Sequence, residues 1–218
     1  MKKFLLTLAA IAALLPSARA DEGMWMLPLL EKINSDAMRN LGSRLTADQI
    51  YSINHSSIKD AVVQFGGGCT GEIISGSGLL VTNHHCGYGS IQALSSEEHN
   101  YLEDGYWASS RSEEIPVPGL SVKFLQKMTD VTGKVKDEKS ADALIAKAVK
   151  ENPHCTAQIV SFFNDNVQYL VIYKVYSDVR FVGAPPAASG KFGGDTDNWM
   201  WPRHTCDFSM FRVYAGAD

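Results

Sequence analysis

The sequence lacks several features that would assign it to a class at once. It has no run of basic residues, no CxxC pair, no internal repeat and no low-complexity tract, and no apolar stretch after residue 20 is long enough to span a bilayer. The missing CxxC pair disfavours a zinc ribbon and a thioredoxin-like redox site. The missing basic run argues against nucleic acid as a partner. What is present, 45% hydrophobic and 20% charged residues in a chain of 218, is typical of a globular protein with a sizeable core.

The first twenty residues form a pattern of their own. Two lysines follow the initial methionine, an apolar run covers residues 4–15, and residues 18–20 read Ala-Arg-Ala. The run is about a dozen residues long, whereas a membrane-spanning helix needs ~20. The pattern is typical of a secretory signal peptide and predicts cleavage after Ala20, leaving an exported protein with no membrane span. The formal charge would then move from −4 to −7, because residues 1–20 contain three basic residues and no acidic ones.

Four cysteines are present, and an even number in an exported protein favours disulfides. Four cysteines allow three pairings. We expect Cys69 to pair with Cys86, because they lie at the two ends of one hairpin and a bridge would pin the turn that follows. Cys155 and Cys206 are then left over as a second candidate pair, although either thiol could also be free.

Helical patterns are few. Apolar residues recur at helical spacing over residues 24–42, and Thr46 opens a second short helix because Thr-Ala-Asp-Gln fits a capping box. A third, alanine-rich helix is predicted over residues 140–150. Its apolar face would consist of Ala141, Leu144, Ile145 and Val149.

Most of the remaining chain consists of short β-prone segments separated by glycine-rich turns. They cover residues 61–65, a hairpin over 72–82, and residues 122–125, 156–163, 168–176, 179–182 and 208–214. Many short strands with a few helices predict a mainly β fold, either a barrel or a sandwich. We expect residues 21–218 to form the N-terminal part of a domain, with a helical lead-in at about 24–55 and the β portion from about 61.

The sharpest chemical signal lies in residues 78–87, which read Gly-Leu-Leu-Val-Thr-Asn-His-His-Cys-Gly. An apolar strand ends at Thr82 and delivers a histidine to a turn, and Cys86 follows at once. A general base has to be held in a fixed position at the edge of a cleft, so His85 is a candidate for that role.

Two other interpretations of this segment are a buried, hydrogen-bonded histidine pair and a metal site. A metal-dependent hydrolase would draw on His84, His85, His99 and His204. Because neighbouring residues of a strand point to opposite faces, His84 and His85 would seldom hold one metal together. The ligand spacing of common metal sites is also absent, so we predict no metal.

The order strand-Thr-x-x-His-Cys resembles the histidine motif of trypsin-like peptidases. The wider stretch over residues 81–92, Val-Thr-Asn-His-His-Cys-Gly-Tyr-Gly-Ser-Ile-Gln, is similar to the bacterial dipeptidyl-peptidase family that includes dipeptidyl-peptidases 7 and 11. The resemblance runs along nearly the whole chain from Asp21 onward. It implies a trypsin/chymotrypsin-like β-barrel that is incomplete in this chain, a serine peptidase activity, no cofactor, and His85 rather than His84 as the catalytic histidine.

The resemblance also has implications for the cellular location and the oligomeric state of the protein. It implies export to the periplasm or the cell surface of a Gram-negative bacterium, in line with the signal peptide. A homodimer is compatible with it.

A second cluster occupies residues 193–208 and packs aspartates, tryptophans, an asparagine, an arginine and a histidine into sixteen positions. Asp207 precedes an apolar strand, where it could either accept the imidazole N–H of a catalytic histidine or cap a turn. The family resemblance implies that Asp207 is the catalytic aspartate and that Asn198 and Trp199 bind the substrate's free amino terminus. An amide carbonyl accepts from an ammonium group, and an indole face attracts a cation.

A convincing nucleophile is missing. Ser77 lies between two glycines, but in the hairpin before the histidine strand, where a turn is the better interpretation. Histidine before aspartate is the chymotrypsin order, so we expect the serine beyond Asp218. The implied reaction removes dipeptides from the free N-terminus of oligopeptides, and this fragment alone is expected to be inactive. The alternative is an exported, non-catalytic peptide-binding module or an inactive remnant.

Overall fold

The structure is a computed structural model that describes residues 25–190 and 206–216. Its α-helices are α1 (Leu30–Ile33), α2 (Ser35–Asn40), α3 (Ala47–Ile50), α4 (His84–Leu94), α5 (Tyr101–Asp104), α6 (Glu138–Glu151) and α7 (Ala187–Gly190). Its strands are β1 (Val62–Phe65), β2 (Cys69–Ile73), β3 (Leu79–Thr82), β4 (Tyr106–Trp107), β5 (Ile115–Pro116), β6 (Val122–Asp130), β7 (Cys155–Phe162), β8 (Val167–Tyr176), β9 (Asp178–Ala184) and β10 (Ser209–Tyr214). The predicted mainly β fold with a few helices is confirmed.

The strands form one antiparallel sheet in the order β4-β9-β10-β3-β2-β1-β6-β8-β7, with β5 paired to β9. Strands far apart in this order share one core, which shows that the sheet curls around it. Phe65 of β1, Phe211 of β10 and Phe181 of β9 are almost fully buried. The ring of Phe211 lies 4.8 Å from that of Phe65 and 5.5 Å from that of Phe181, at distances typical of packed aromatic pairs.

The lead-in is broken into short pieces where one helix was predicted over residues 24–42. A 3₁₀ turn at Leu27–Leu29 is followed by α1 and α2, which meet at the buried Asn34. Ser35 donates from its hydroxyl to the carbonyl of Leu30 at 3.1 Å, a local bond that competes with regular helix geometry. The capping box at Thr46 is confirmed, with reciprocal bonds of 3.1 and 2.9 Å to Gln49 at the start of α3.

The hairpin that leads to the candidate histidine is formed by β2 and β3, and β2 begins at Cys69, earlier than predicted. Its turn ends at Gly78, which has φ +76°. A Cβ atom there would lie 2.3 Å from the carbonyl oxygen of Val213 in β10. Glycine is therefore required at this position by both conformation and space.

Two predictions about the second half of the chain are corrected. On α6 the apolar face is formed by Leu144, Ile145 and Ala148, whereas Val149 is 41% exposed. The predicted pairing of Cys155 with Cys206 is wrong, because both thiols are free. Cys155 starts β7 at the end of the strand order and Cys206 precedes β10, with five strands between them. In the part of the chain that the structure describes, no helix combines the length and apolarity needed to cross a membrane.

Candidate active site

The strand β3 delivers the histidine pair directly into a helix, where a turn was expected. Thr82 anchors the strand end by donating to the carbonyl of Thr70 at 2.7 Å, Asn83 is extended, and α4 starts at His84. The two histidines thus lie in the first helical turn. His84 is buried with its ring edge-on to Tyr88, whereas half of the His85 side chain is exposed.

His85 and Asp207 are in contact, as expected for a base and its orienting carboxylate. The ring Nδ1 of His85 lies 2.8 Å from Oδ2 of Asp207. The His85 side chain is 52% exposed and that of Asp207 only 10%. This arrangement holds the imidazole by its inner nitrogen and leaves Nε2 as the proton acceptor for a reacting group.

Asp207 also binds the helix that carries the histidine. The backbone N–H of His85 donates to Oδ1 of Asp207 at 3.0 Å, so the carboxylate occupies the N-terminus of α4, where negative charge is favoured. Burial on its own would raise the pKa of Asp207. The hydrogen bonds from the backbone and ring of His85 and from Asn83 outweigh this effect, and the pKa of Asp207 is lowered below its ordinary value. The carboxylate is therefore ionised at neutral pH.

Asn83 is a site residue that the sequence reasoning missed. Its side-chain N–H group donates to Oδ2 of Asp207 at 3.0 Å and to the Asp207 carbonyl at 3.3 Å. An asparagine just before a helix is usually interpreted as an N-cap, and that signal was available in the sequence. Nothing in the sequence indicated that its amide would contact a residue 124 positions away.

The Cys69–Cys86 disulfide joins β2 to the first turn of α4, with the Cα atoms 6.1 Å apart. It closes next to His85 and ties the helix start to the hairpin. Ser77 lies at the opposite end of β3, where its hydroxyl accepts a 2.9 Å bond from Arg212.

The remaining predicted site residues fall into two groups. Asn198, Trp199 and His204 lie outside the described residues, as do residues 1–20 with the predicted signal peptide. His99 stacks on Tyr101 at 5.9 Å. Among residues 25–190 and 206–216, no three histidine, cysteine or acidic side chains form a group that could hold a metal ion.

A curled antiparallel sheet that presents a histidine beside a buried aspartate, with histidine first in the chain, is the arrangement found in peptidases of the chymotrypsin type. The particular family follows from comparison with known proteins. The chain belongs to the Peptidase S46 family, whose model matches residues 20–218.

Curated relatives include dipeptidyl-peptidase 7 of Phocaeicola vulgatus, which is 53% identical over 240 residues covering 100% of this chain and 33% of the relative. The Asp/Glu-specific dipeptidyl-peptidase of Porphyromonas gingivalis is 45% identical, with 98% and 32% covered. The crystal structure of Porphyromonas endodontalis DPP11 in complex with the dipeptide Arg-Glu matches with a TM-score of 0.83 and 45% identity, over 91% of this chain and 31% of that one. The chain spans about a third of the length of these relatives.

Proposed function

We propose that this chain contributes the general base and its orienting carboxylate to an exported serine-type dipeptidyl-peptidase. The single observation that supports this most strongly is the 2.8 Å contact between His85, in the first turn of a helix, and Asp207, just before a strand, in a Peptidase S46 chain. The names of the relatives, dipeptidyl-peptidases, supply the reaction class. The protein acts in the periplasm or at the cell surface after removal of residues 1–20.

The nucleophilic serine lies in the part of the full-length protein beyond Asp218, and it attacks the carbonyl of the second peptide bond of an oligopeptide. Nε2 of His85 takes the hydroxyl proton as the acyl-enzyme bond forms, and returns it to the leaving amine as the peptide bond breaks. Water then attacks the acyl-enzyme while His85 takes a proton from it. His85 returns this proton to the serine oxygen as the acyl–serine bond breaks and the dipeptide leaves. Asp207 keeps the proton of His85 on Nδ1 and stabilises the imidazolium that forms in each half-reaction.

Removal of two residues at a time requires that the substrate's free amino group be held at a fixed distance from the serine. We assign this role to Asn198 and Trp199, on the basis of the sequence resemblance and of the affinity of an amide oxygen and an indole face for an ammonium group. The complex of P. endodontalis DPP11 with the dipeptide Arg-Glu is consistent with a ligand of this size.

The test replaces His85 with Ala in the full-length protein and measures hydrolysis of a chromogenic dipeptidyl substrate. Loss of the base should lower kcat by at least about 10⁴-fold. The matched control is His55→Ala, because His55 is an exposed histidine of the lead-in that pairs only with Asp48 in the described residues. The same substrate with an acetylated amino terminus should not be cleaved.

Hydrolysis that survives His85→Ala would contradict the proposed mechanism. Peptide binding without hydrolysis by the unaltered full-length protein would instead favour the non-catalytic peptide-binding module.

A further inference from the structure

The carboxylate of Asp207 accepts two side-chain hydrogen bonds at one oxygen. Oδ2 of Asp207 is 2.8 Å from Nδ1 of His85 and 3.0 Å from Nδ2 of Asn83. The terminal torsion of an aspartate has a broad energy profile, so the plane of the carboxylate is set by the hydrogen bonds at its two oxygens. The amide of Asn83 supplies a further fixed donor on the same oxygen.

Asn83 does not use its side chain in the way expected at a helix start. It occupies the N-cap position of α4, but its side chain makes no capping bond to that helix. Asp207, from the segment just before β10, accepts the backbone N–H of His85 instead. The amide of Asn83 is thereby available to donate to Asp207, and the two residues have exchanged the usual capping role.

The backbone of Asn83 is held by the same stretch of chain, residues 207–209, that binds its side chain. Its carbonyl accepts the hydroxyl of Ser209 at 3.0 Å and the backbone N–H of Gly87 at 3.2 Å. Ser209 is fully buried, and a Cβ atom at Gly87 would lie 2.6 Å from the Ser209 hydroxyl oxygen. Asn83 is therefore attached to the start of β10 on both sides of Phe208, through Asp207 and through Ser209.

We infer that Asn83 is a positioning residue of the proposed reaction: it fixes the Asp207 carboxylate in the orientation that holds the His85 ring. The inference rests on the proposed function, because its effect is visible only if His85 is the base. We assign Asn83 no contact with the reacting atoms. It acts through Asp207.

The experiment is a double-mutant cycle on kcat in the full-length protein, with Asn83→Ala measured alone and in an Asp207→Ala background. A lost hydrogen bond to a charged group corresponds to about tenfold, so Asn83→Ala alone should lower kcat by about that factor and leave KM nearly unchanged. If Asn83 acts through Asp207, the same change in the Asp207→Ala background should lower kcat by less than about twofold. Equal effects in both backgrounds, or no effect in the unaltered protein, would overturn the inference.

Two further variants separate hydrogen-bond donation from shape and folding. Asn83→Asp keeps the size of the side chain, has no N–H to offer and places a second carboxylate beside that of Asp207, so it should lose at least as much activity as Asn83→Ala. Full activity in Asn83→Asp would overturn the inference. Asn166→Ala is the matched control, because its amide donates to Phe163 at 2.7 Å in the turn between β7 and β8 and should not change kcat.

Failure of this inference is distinguishable from failure of the proposed function. If His85→Ala abolishes hydrolysis while Asn83→Ala leaves kcat unchanged, only the role of Asn83 is rejected. If the unaltered full-length protein hydrolyses nothing, or His85→Ala retains activity, the proposed function itself is rejected.

Discussion

Asp207 illustrates how one carboxylate can serve a site and the fold around it. Its two oxygens accept from the backbone of His85, the ring of His85 and the amide of Asn83, with the side chain 90% removed from solvent. Three donors offset the cost of burying the charge, which is why the pKa of Asp207 falls although burial opposes this. The contact between His85 and Asp207 and the helix start of α4 therefore depend on the same ionised group.

Asp207→Asn should lower kcat by about 10⁴-fold, because the amide keeps the shape but no longer holds the proton on Nδ1 of His85. It should also lower the stability of the full-length protein at neutral pH. The folded-state pKa of Asp207 is lowered, so its contribution to stability is fully present above the ordinary carboxyl pKa and is lost as the pH falls through the folded value. The melting temperatures of the unaltered protein and of Asp207→Asn can be measured by calorimetry between pH 3 and pH 7.

The difference in melting temperature between the unaltered protein and Asp207→Asn should be constant above about pH 5 and should shrink below about pH 4. Asp142→Asn, an exposed change on α6, is the control and should shift the melting temperature little at any of these pH values. A difference that grows as the pH falls would contradict the assignment of the charge to Asp207.

At the scale of elements, most of the strands were predictable, but β4, β5, the second half of β6 and the helix that carries His85 were not. Runs such as Leu-Leu-Val-Thr at β3 consist of β-prone residues whose pattern survives in the fold. Helix α4 contains Gly87 and Gly89, which have low helix propensity, and its first turn is stabilised by the carboxylate of Asp207, just before β10. A local sequence pattern carries no information about a capping group that lies 122 residues away, so the residues after Thr82 were predicted to form a turn.

The cysteine predictions show the same limit. Cys69 and Cys86 could be paired from sequence because a single hairpin brings them together, and a local argument was sufficient. Cys155 and Cys206 were paired by elimination, which takes no account of where β7 and β10 lie in the sheet. Strand order depends on long-range pairing, and that is not encoded in any one segment.

Removing the disulfide with Cys69→Ser and Cys86→Ser together should destabilise the β2–β3–α4 unit. The bridge closes a loop over a sequence separation of 17, for which chain-entropy estimates give about 3 kcal/mol. The measurement is the urea concentration at which the full-length enzyme loses half of its activity. It should fall clearly in the double variant.

Cys206→Ser is the control for the loss of a thiol, because Cys206 is free and exposed. It should leave the urea midpoint unchanged, and treatment with a reductant should lower the midpoint of the unaltered enzyme but not that of the double variant. An unchanged midpoint in the double variant would show that the sheet pairing of β2 with β1 and β3 is sufficient on its own.

At the scale of the whole molecule, a buried ion pair joins three segments that are distant in sequence. Arg212 of β10 donates to Glu114 at 2.7 Å and to the hydroxyl of Ser77 at 2.9 Å. Tyr214 donates to the other carboxylate oxygen of Glu114 at 2.7 Å. Ser77 therefore binds the Arg212 side chain at the end of β3 away from His85. It is the one serine whose glycine neighbours suggested a nucleophile.

Glu114→Ala should be among the most destabilising single changes in this region, because it leaves Arg212 buried without its counter-ion. Breaking one partner of a buried pair costs about 3 to 5 kcal/mol, and here the side chains of Glu114 and Arg212 are only 2% and 12% exposed. The end of β10 would lose its attachment while the Asp207 end kept its own bonds, so the urea midpoint of the full-length enzyme should fall with kcat little changed before unfolding. Glu151→Ala, which removes an exposed pair with Lys147 at 3.9 Å, should cost no more than about 1 kcal/mol. Equal midpoints for the two variants would mean that the sheet alone holds β10 in place. The position of Asp207 relative to His85 would then not depend on the Glu114–Arg212 pair.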